Sequence, residues 1–188
     1  IRLQNDARVA HGIAQAAGAG RRDRATVQGR SLLGPDVDAA VFETARGGVL
    51  REGLAYDRCK VAVVTNIGTV DHLGLNYITT VEDLAVLKRV IVQNVADNGV
   101  AVLNAADPIV AGMAKNCTGA VTFFAVDSQL PIMAAHRVKG HRVVFVEDGD
   151  LVAVEGKLIQ RIPLTDIPIT RNGTIGFQVE NVMASVPA

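Results

Sequence analysis

The chain has 188 residues, about one domain's worth and long enough for a substantial core. Hydrophobic residues make up 49% and charged residues 20%, which excludes a disordered chain. Lysine plus arginine equals aspartate plus glutamate at 19 each, so no net field argues for nucleic acid or an anionic membrane as a partner.

Ile1 to Ala17 places Val9, Ile13 and Ala16-Ala17 at helical spacing, with Gly18 as the stop, and predicts a helix. Gly18 to Arg30 is basic and glycine-rich, with Arg21, Arg22, Arg24 and Arg30. It reads as an exposed loop, either merely solvated or touching phosphate or substrate. A short helix or turn through Ser31–Leu33 meets the Gly34-Pro35 break. Val37–Glu43 and Lys60–Asn66 are short, almost wholly apolar runs, the pattern of strands buried on both faces of a parallel sheet. Between them Leu50–Asp57 is long enough for a crossover turn or a short helix. Thr80 is a good N-cap, with Asp83 three residues on as the capping-box acid. Val81, Leu84, Leu87, Val92 and Val95 then mark a helix that Asp97-Asn98-Gly99 should end. Val100–Leu103 predicts the next buried strand, Pro108–Lys115 a helix and Val121–Ala125 another strand.

After Ala125 the character changes. Arg142–Glu147, Leu151–Val154 and Leu158–Ile162 alternate more, with hairpin signals at Asp148-Gly149-Asp150 and Glu155-Gly156-Lys157. They predict a small antiparallel meander, residues 142–162, on the edge of the parallel sheet, with one solvated face and no part in catalysis. Gly176–Ser185 turns into a helix from near Gln178. Cys59 and Cys117 have no metal-type spacing and suggest no disulfide framework. No apolar run approaches the ~20 residues that span a bilayer, and no signal-peptide pattern opens the chain, so the cytoplasm is the expected compartment.

The polar residues fall where the apolar strands end: Glu43, Thr65-Asn66 and Asn104. In open α/β sheets ligands bind at the carboxyl ends of strands. A carboxylate, a histidine and a lysine delivered to one such edge can hold a divalent metal and phosphate, which reads as a nucleotide site. Glu43 is followed by Thr-Ala-Arg-Gly-Gly, a backbone that lets a phosphate approach. By position alone Glu43 is either a ligand for a hard cation or an ion-pair partner of Arg46 or Arg51. His72 alone would be structural, and Lys88, among Leu84, Leu87, Ile91 and Val92, a snorkelling surface residue. Asp107-Pro108 starts a helix well, as N-cap and first helical residue; Asn104 points rather to the nucleotide.

The order Glu43-Thr-Ala-Arg-Gly-Gly48, Thr65-Asn-Ile67, Asp71-His-Leu73, a lysine-bearing helix and Leu103-Asn-Ala-Ala-Asp-Pro108 resembles the central ATPase domain of the Mur ligases. Within that superfamily it is most similar to the cyanophycin synthetases, and the resemblance runs from about Val37 to Ser185. It implies an α/β fold with a mostly parallel sheet of P-loop NTPase type, flanking helices and a small antiparallel appendage. It implies ATP and Mg²⁺ as cofactors, Glu43 and His72 as metal ligands, and Lys88 and Arg46 as catalytic residues. In many such ligases the lysine at this place is carbamylated, and its new carboxylate holds the second metal. Phe177-Gln-Val-Glu-Asn181 resembles the segment whose amides contact adenine, making Gln178 and Asn181 nucleotide contacts beside Asn104; helix capping is the plainer role for Gln178.

The implied reaction is ATP-dependent amide-bond formation between an amino acid, arginine in the cyanophycin synthetases, and a carboxylate on a peptide polymer, here poly-aspartate. A homo-oligomer within a larger chain is compatible with it. Another Mur-type ligase, acting on a cell-wall peptide or polyglutamate, and a degenerate, non-catalytic module are the competing readings. No Gly-x-x-x-x-Gly-Lys-Ser/Thr occurs in the sequence. The resemblance places that loop just before Ile1 and a further domain after Ala188, so residues 1–188 read as a partial central domain, inactive alone.

Overall fold

The computed structural model describes residues 9–12, 39–44, 48–50, 53–54, 56–67 and 78–186. The chain divides into two units, Ile1–Asp57 and Arg58–Ala188.

In the first unit β1 (Val9–Gly12) pairs in parallel with β2 (Ala39–Phe42), in register from Val9↔Ala39 to Gly12↔Phe42. The helix expected over Ile1–Ala17 is therefore wrong at Val9–Gly12. A four-residue run of this kind fits either period, and a partner strand about thirty positions on, which no local window contains, decides it. A helical turn covers 48–50, with the Gly53 N–H donating to the Val49 carbonyl at 3.0 Å. Phe42 and Tyr56 stack with ring centroids 6.3 Å apart. The expectations for Gly18–Arg30 and Ser31–Pro35 lie outside the described residues.

The second unit is a six-stranded sheet in the order β3 to β8. β3 (Cys59–Val64), β4 (Val95–Asn104), β5 (Ala120–Phe124) and β6 (Val143–Glu147) run parallel; β7 (Asp150–Glu155) and β8 (Leu158–Pro163) follow antiparallel. Among the described residues four helices lie between and after the strands: α1 (Val81–Gln93), α2 (Pro108–Gly112, prolonged by a 3₁₀ turn), α3 (Pro131–Val138) and α4 (Gly176–Ser185). The fold is α/β with a mostly parallel sheet, as expected.

The period of two along each strand sorts the core into two layers. Ala101, Leu103, Phe123, Val143, Phe145, Val152 and Val154 face one side, where Leu84 and Val92 of α1, Val110 of α2 and Met133 of α3 cover them. Val102, Phe124, Val144, Leu151 and Ala153 face the other, under Val179, Met183 and Ala184 of α4. Burying each such Val, Leu or Phe contributes ~1.5–3 kcal/mol as an upper bound.

α1 begins as its sequence dictates. The Asp83 N–H donates to Thr80 Oγ1 at 3.1 Å and the Thr80 N–H to Asp83 Oδ2 at 3.2 Å, a complete capping box. The carboxylate's acceptor role holds its pKa below the usual range, the Thr80 contact first. The helix ends earlier than expected, at Gln93, and Asp97-Asn98-Gly99 lie inside β4 instead of closing α1. Cys59 pairs with Val95 but Val61 with Val100, so the three extra residues on β4 form an irregularity in the ladder. Glycine is needed there because the backbones nearly touch. A Cβ on Gly99 would stand 2.6 Å from the Lys60 carbonyl oxygen, and one on Gly119 2.4 Å from the Gly99 carbonyl oxygen.

α3 has no counterpart in the sequence reading. The antiparallel meander is present, but without the expected solvated face on β6 and β7. Val143, Val144 and Phe145 on β6 and Leu151 to Val154 on β7 are buried on both faces, and β6 pairs with β5 as part of the parallel sheet. Val143-Val-Phe-Val is an apolar run, not an alternation; only β8 is exposed along most of its length. The turns do follow the sequence: Asp148 and Gly149 both have positive φ, at 53° and 81°, as a two-residue Asp-Gly hairpin requires.

Candidate functional site

Chain direction assembles one edge of the larger sheet. β3, β4, β5 and β6 are parallel, so the segments after them, at Thr65–Ile67, Ala105–Asp107, Ala125–Gln129 and Asp148-Gly149, leave from the same side. β8 lies two antiparallel steps from β6 and ends at this edge too. The Leu164 N–H reaches the Gly149 carbonyl at 3.0 Å, tying the chain after β8 to the turn after β6. At the opposite edge Arg142, before β6, donates to the Val186 carbonyl at 3.5 Å, just past α4. α4 therefore runs away from the carboxyl edge, and its first turn, with Phe177 and Gln178, stands there, with Asn181 one turn further on.

Asp107 is the carboxylate that orders this edge. Its Oδ1 accepts from the Ile109 N–H at 2.9 Å and the Val110 N–H at 3.2 Å, capping α2. Its Oδ2 accepts from the Ile67 N–H at 2.9 Å, forty residues earlier in the chain. One side chain thus joins the segments that leave β3 and β4. The cap is legible in the sequence and the second bond is not, because nothing near Asp107 indicates Ile67. Asn104, only 8% exposed, accepts from the Ala106 N–H at 2.8 Å, a tight local turn.

Lys88 sits midway along α1. The Cys59 N–H donates to the Asn94 carbonyl at 2.9 Å, so α1 ends beside the start of β3 and begins at the carboxyl edge. Helical side chains lean toward the N-terminus, and Lys88 follows that lean: its Nζ donates to the Asn66 carbonyl at 3.4 Å. The side chain is half-buried and aimed at the end of β3, not outward. Asn181 Nδ2 donates to Gln178 Oε1 at 3.3 Å across one turn of α4; Gln178 is half-buried and Asn181 exposed.

Of the seven residues singled out from the sequence, Lys88, Asn104, Gln178 and Asn181 fall at or reach this one edge. Glu43 follows the last residue of β2 in the first unit and is exposed. His72 and Arg46 lie outside the described residues, so the expected convergence of Glu43 with His72 does too. Among the described residues no group of three or more His, Cys, Asp or Glu side chains could hold a metal ion. Cys59 and Cys117 are half-buried free thiols, and burial pushes the Cys59 thiol up. No helix among the described residues is long and apolar enough to cross a membrane.

A mostly parallel α/β sheet with polar groups gathered at its carboxyl edge is the architecture in which such domains bind ligands. The chain belongs to the Mur ligase middle-domain family, whose profile matches residues 25–188. It is similar to cyanophycin synthetase of Geminocystis herdmanii (strain PCC 6308), 42% identical over 155 residues, 82% of this chain and 18% of that protein. It is similar also to cyanophycin synthetase of Synechocystis sp. (strain ATCC 27184 / PCC 6803 / Kazusa), 41% identical over the same shares. The chain thus spans less than a fifth of the length of these curated relatives. A solved UDP-N-acetylmuramoyl-L-alanyl-D-glutamate–2,6-diaminopimelate ligase matches over 81% of this chain and 32% of its own, at 17% identity and a TM-score of 0.48. That likeness is too loose to add to the reading.

Proposed function

We propose that this chain is the nucleotide-handling part of an ATP-dependent amide ligase of the cyanophycin synthetase type, working in the cytoplasm. The observation that supports it most is the direction of the Lys88 side chain, whose amine reaches the end of β3, 3.4 Å from the Asn66 carbonyl. On this reading a substrate carboxylate oxygen attacks the γ-phosphorus of ATP, the bond to the β-phosphate oxygen breaks, and ADP leaves. The amine of the incoming amino acid, arginine, then attacks the acyl carbon of a poly-aspartate side chain. Phosphate departs, the amine loses a proton, and the amide remains.

A hard divalent cation takes carboxylate oxygens and shares the rest of its shell with water and phosphate, and by residue type Glu43 offers one such carboxylate. Glu43 and His72 would hold Mg²⁺. CO₂ added to the Lys88 nitrogen, with loss of a proton, would give a further carboxylate where that amine now meets the strand end. Mg²⁺ would supply charge neutralisation at the transferring phosphoryl group. Arg46 would add a cation beside the same oxygens. Asn104, Gln178 and Asn181 would hold the nucleotide. An amide both donates and accepts, which matches the edge of adenine.

The test is Lys88→Ala in the full-length protein. Ligation should fall by about two orders of magnitude or more, as for loss of a group acting at the phosphoryl transfer, with circular dichroism unchanged. Bicarbonate should sustain the wild-type rate, and a short carboxylic acid should restore part of the variant's. An alanine variant with normal turnover would make Lys88 an ordinary surface lysine.

A further inference from the structure

We propose that Thr170 is a positioning residue for the nucleotide: its buried hydroxyl fixes the loop that sets the first turn of α4, and with it Gln178 and Asn181. The inference rests on the reading that those two amides meet adenine.

Thr170 is 0% exposed, one of three buried polar residues among those described. Its hydroxyl lies 3.0 Å from the Leu164 carbonyl and 2.8 Å from the Ile167 carbonyl, and it accepts from the Gly173 N–H at 3.1 Å. The hydroxyl proton is shared between two carbonyls, and the Gly173 amide takes one of the two lone pairs. The backbone that it braces is unusual. Arg171, Asn172 and Gly173 are three successive left-handed residues, with φ of 46°, 59° and 80°. L-residues avoid that region, and such a run persists only where its surroundings over-determine it.

The order then passes to the helix in three bonds. The Ile175 N–H donates to the Thr170 carbonyl at 3.1 Å. The Ile175 carbonyl in turn accepts from the Gln178 N–H at 3.0 Å and the Val179 N–H at 3.1 Å. α4 has no side-chain cap at its start, and most helices that begin without one rely on other partners. Here the partner is the Thr170 loop, placed at the carboxyl edge by the Leu164–Gly149 bond. Side-chain packing of Val179 and Met183 fixes the helix against the sheet, but the rotation and start of its first turn, which carries Gln178 and leads to Asn181, depend on the loop.

Steady-state kinetics of the full-length ligase test this, with Thr170→Val, Thr170→Ser, Thr174→Val, Gln178→Ala and Asn181→Ala compared. Thr170→Val keeps the shape and removes the hydroxyl. It should raise the KM for ATP roughly tenfold, a change of ~1.4 kcal/mol, while kcat and the KM for the amino acid stay within about twofold. Thr170→Ser should restore the ATP KM, because it keeps the hydroxyl. If Thr170→Val does not fold, Thr174→Val serves. Thr174 is exposed, its hydroxyl donates to the Arg171 carbonyl at 2.7 Å, and its loss loosens the same left-handed turn. It should raise the ATP KM about threefold, a change of ~0.65 kcal/mol. A folded Thr170→Val with a lower melting temperature but unchanged ATP KM overturns the inference, and so does an unchanged KM in Thr174→Val where the valine at 170 cannot be made. Unchanged ATP KM values in Gln178→Ala and Asn181→Ala instead remove the nucleotide reading of α4 itself.

Discussion

Replacing Asp107 by asparagine separates its two duties. An asparagine keeps one carbonyl oxygen, which suffices to cap α2 through the Ile109 and Val110 N–H groups, and asparagine is as good an N-cap as aspartate. Its NH₂ must then face the Ile67 N–H, where Oδ2 now accepts at 2.9 Å. Losing a hydrogen bond to a charged acceptor costs ~1.5–3 kcal/mol, so the segment after β3 should open with a free energy ~2 kcal/mol lower, about 30-fold in exchange rate. Alanine removes the cap as well, adding ~0.5–2 kcal/mol. Hydrogen exchange of the full-length protein, followed by peptide mass spectrometry, measures both places at once. Asp107→Asn should speed exchange at 65–67 and leave 109–112 protected, whereas Asp107→Ala should speed both. If Asp107→Asn exposes neither segment, or both equally, the carboxylate does not join the two strand ends as described.

Gly119→Ala should destabilise the second unit by more than ~2 kcal/mol, the range for a side chain forced into a packed backbone. Its Cβ would stand 2.4 Å from the Gly99 carbonyl oxygen; a melting temperature within experimental scatter of the wild type would refute that close approach. His136 is half-buried, 2.8 Å from the Val121 carbonyl and against the rings of Phe123 and His141. Burial depresses its pKa most; His141 and Lys139 push the same way and the Val121 bond opposes them. A depressed histidine contributes stability above its ordinary pKa of ~6.5 that is lost as pH falls toward the lower folded value. Protection of the β5 amides should therefore decline below about pH 6.5, and less so in His136→Gln; an identical decline in the variant would assign the effect to another group.

What the sequence made legible was local. The capping box of Thr80 and Asp83, Asp107-Pro108 at the head of α2 and the Asp148-Gly149 turn are each specified within four residues, and each is present. The failures need information from farther away. Val9–Gly12 is a strand because Ala39–Phe42 lies beside it. Asp97-Asn98-Gly99 looks like a helix stop and is a ladder irregularity, since β3 and β5 approach it. α3 starts on Leu130 with no side-chain cap and fully buries only Met133, so it gave little beyond Pro131 to read. At the edge of the sheet, strand-end position pointed to Asn104, and the family resemblance pointed to Lys88, Gln178 and Asn181. The residues that hold their surroundings, Asp107 and Thr170, act through bonds to Ile67, Leu164 and Gly173 that only the fold brings within reach.

The central claim is that the domain works on a carboxylate through an acyl phosphate, and isotope transfer tests that step itself. Poly-aspartate primer labelled with ¹⁸O in its side-chain carboxylates is incubated with the full-length protein, ATP, Mg²⁺ and arginine, and the released phosphate is analysed by mass spectrometry. The account predicts one ¹⁸O in the phosphate for each amide formed, because the oxygen that attacks phosphorus leaves with it when the amine attacks carbon. Amide formation with unlabelled phosphate would contradict it.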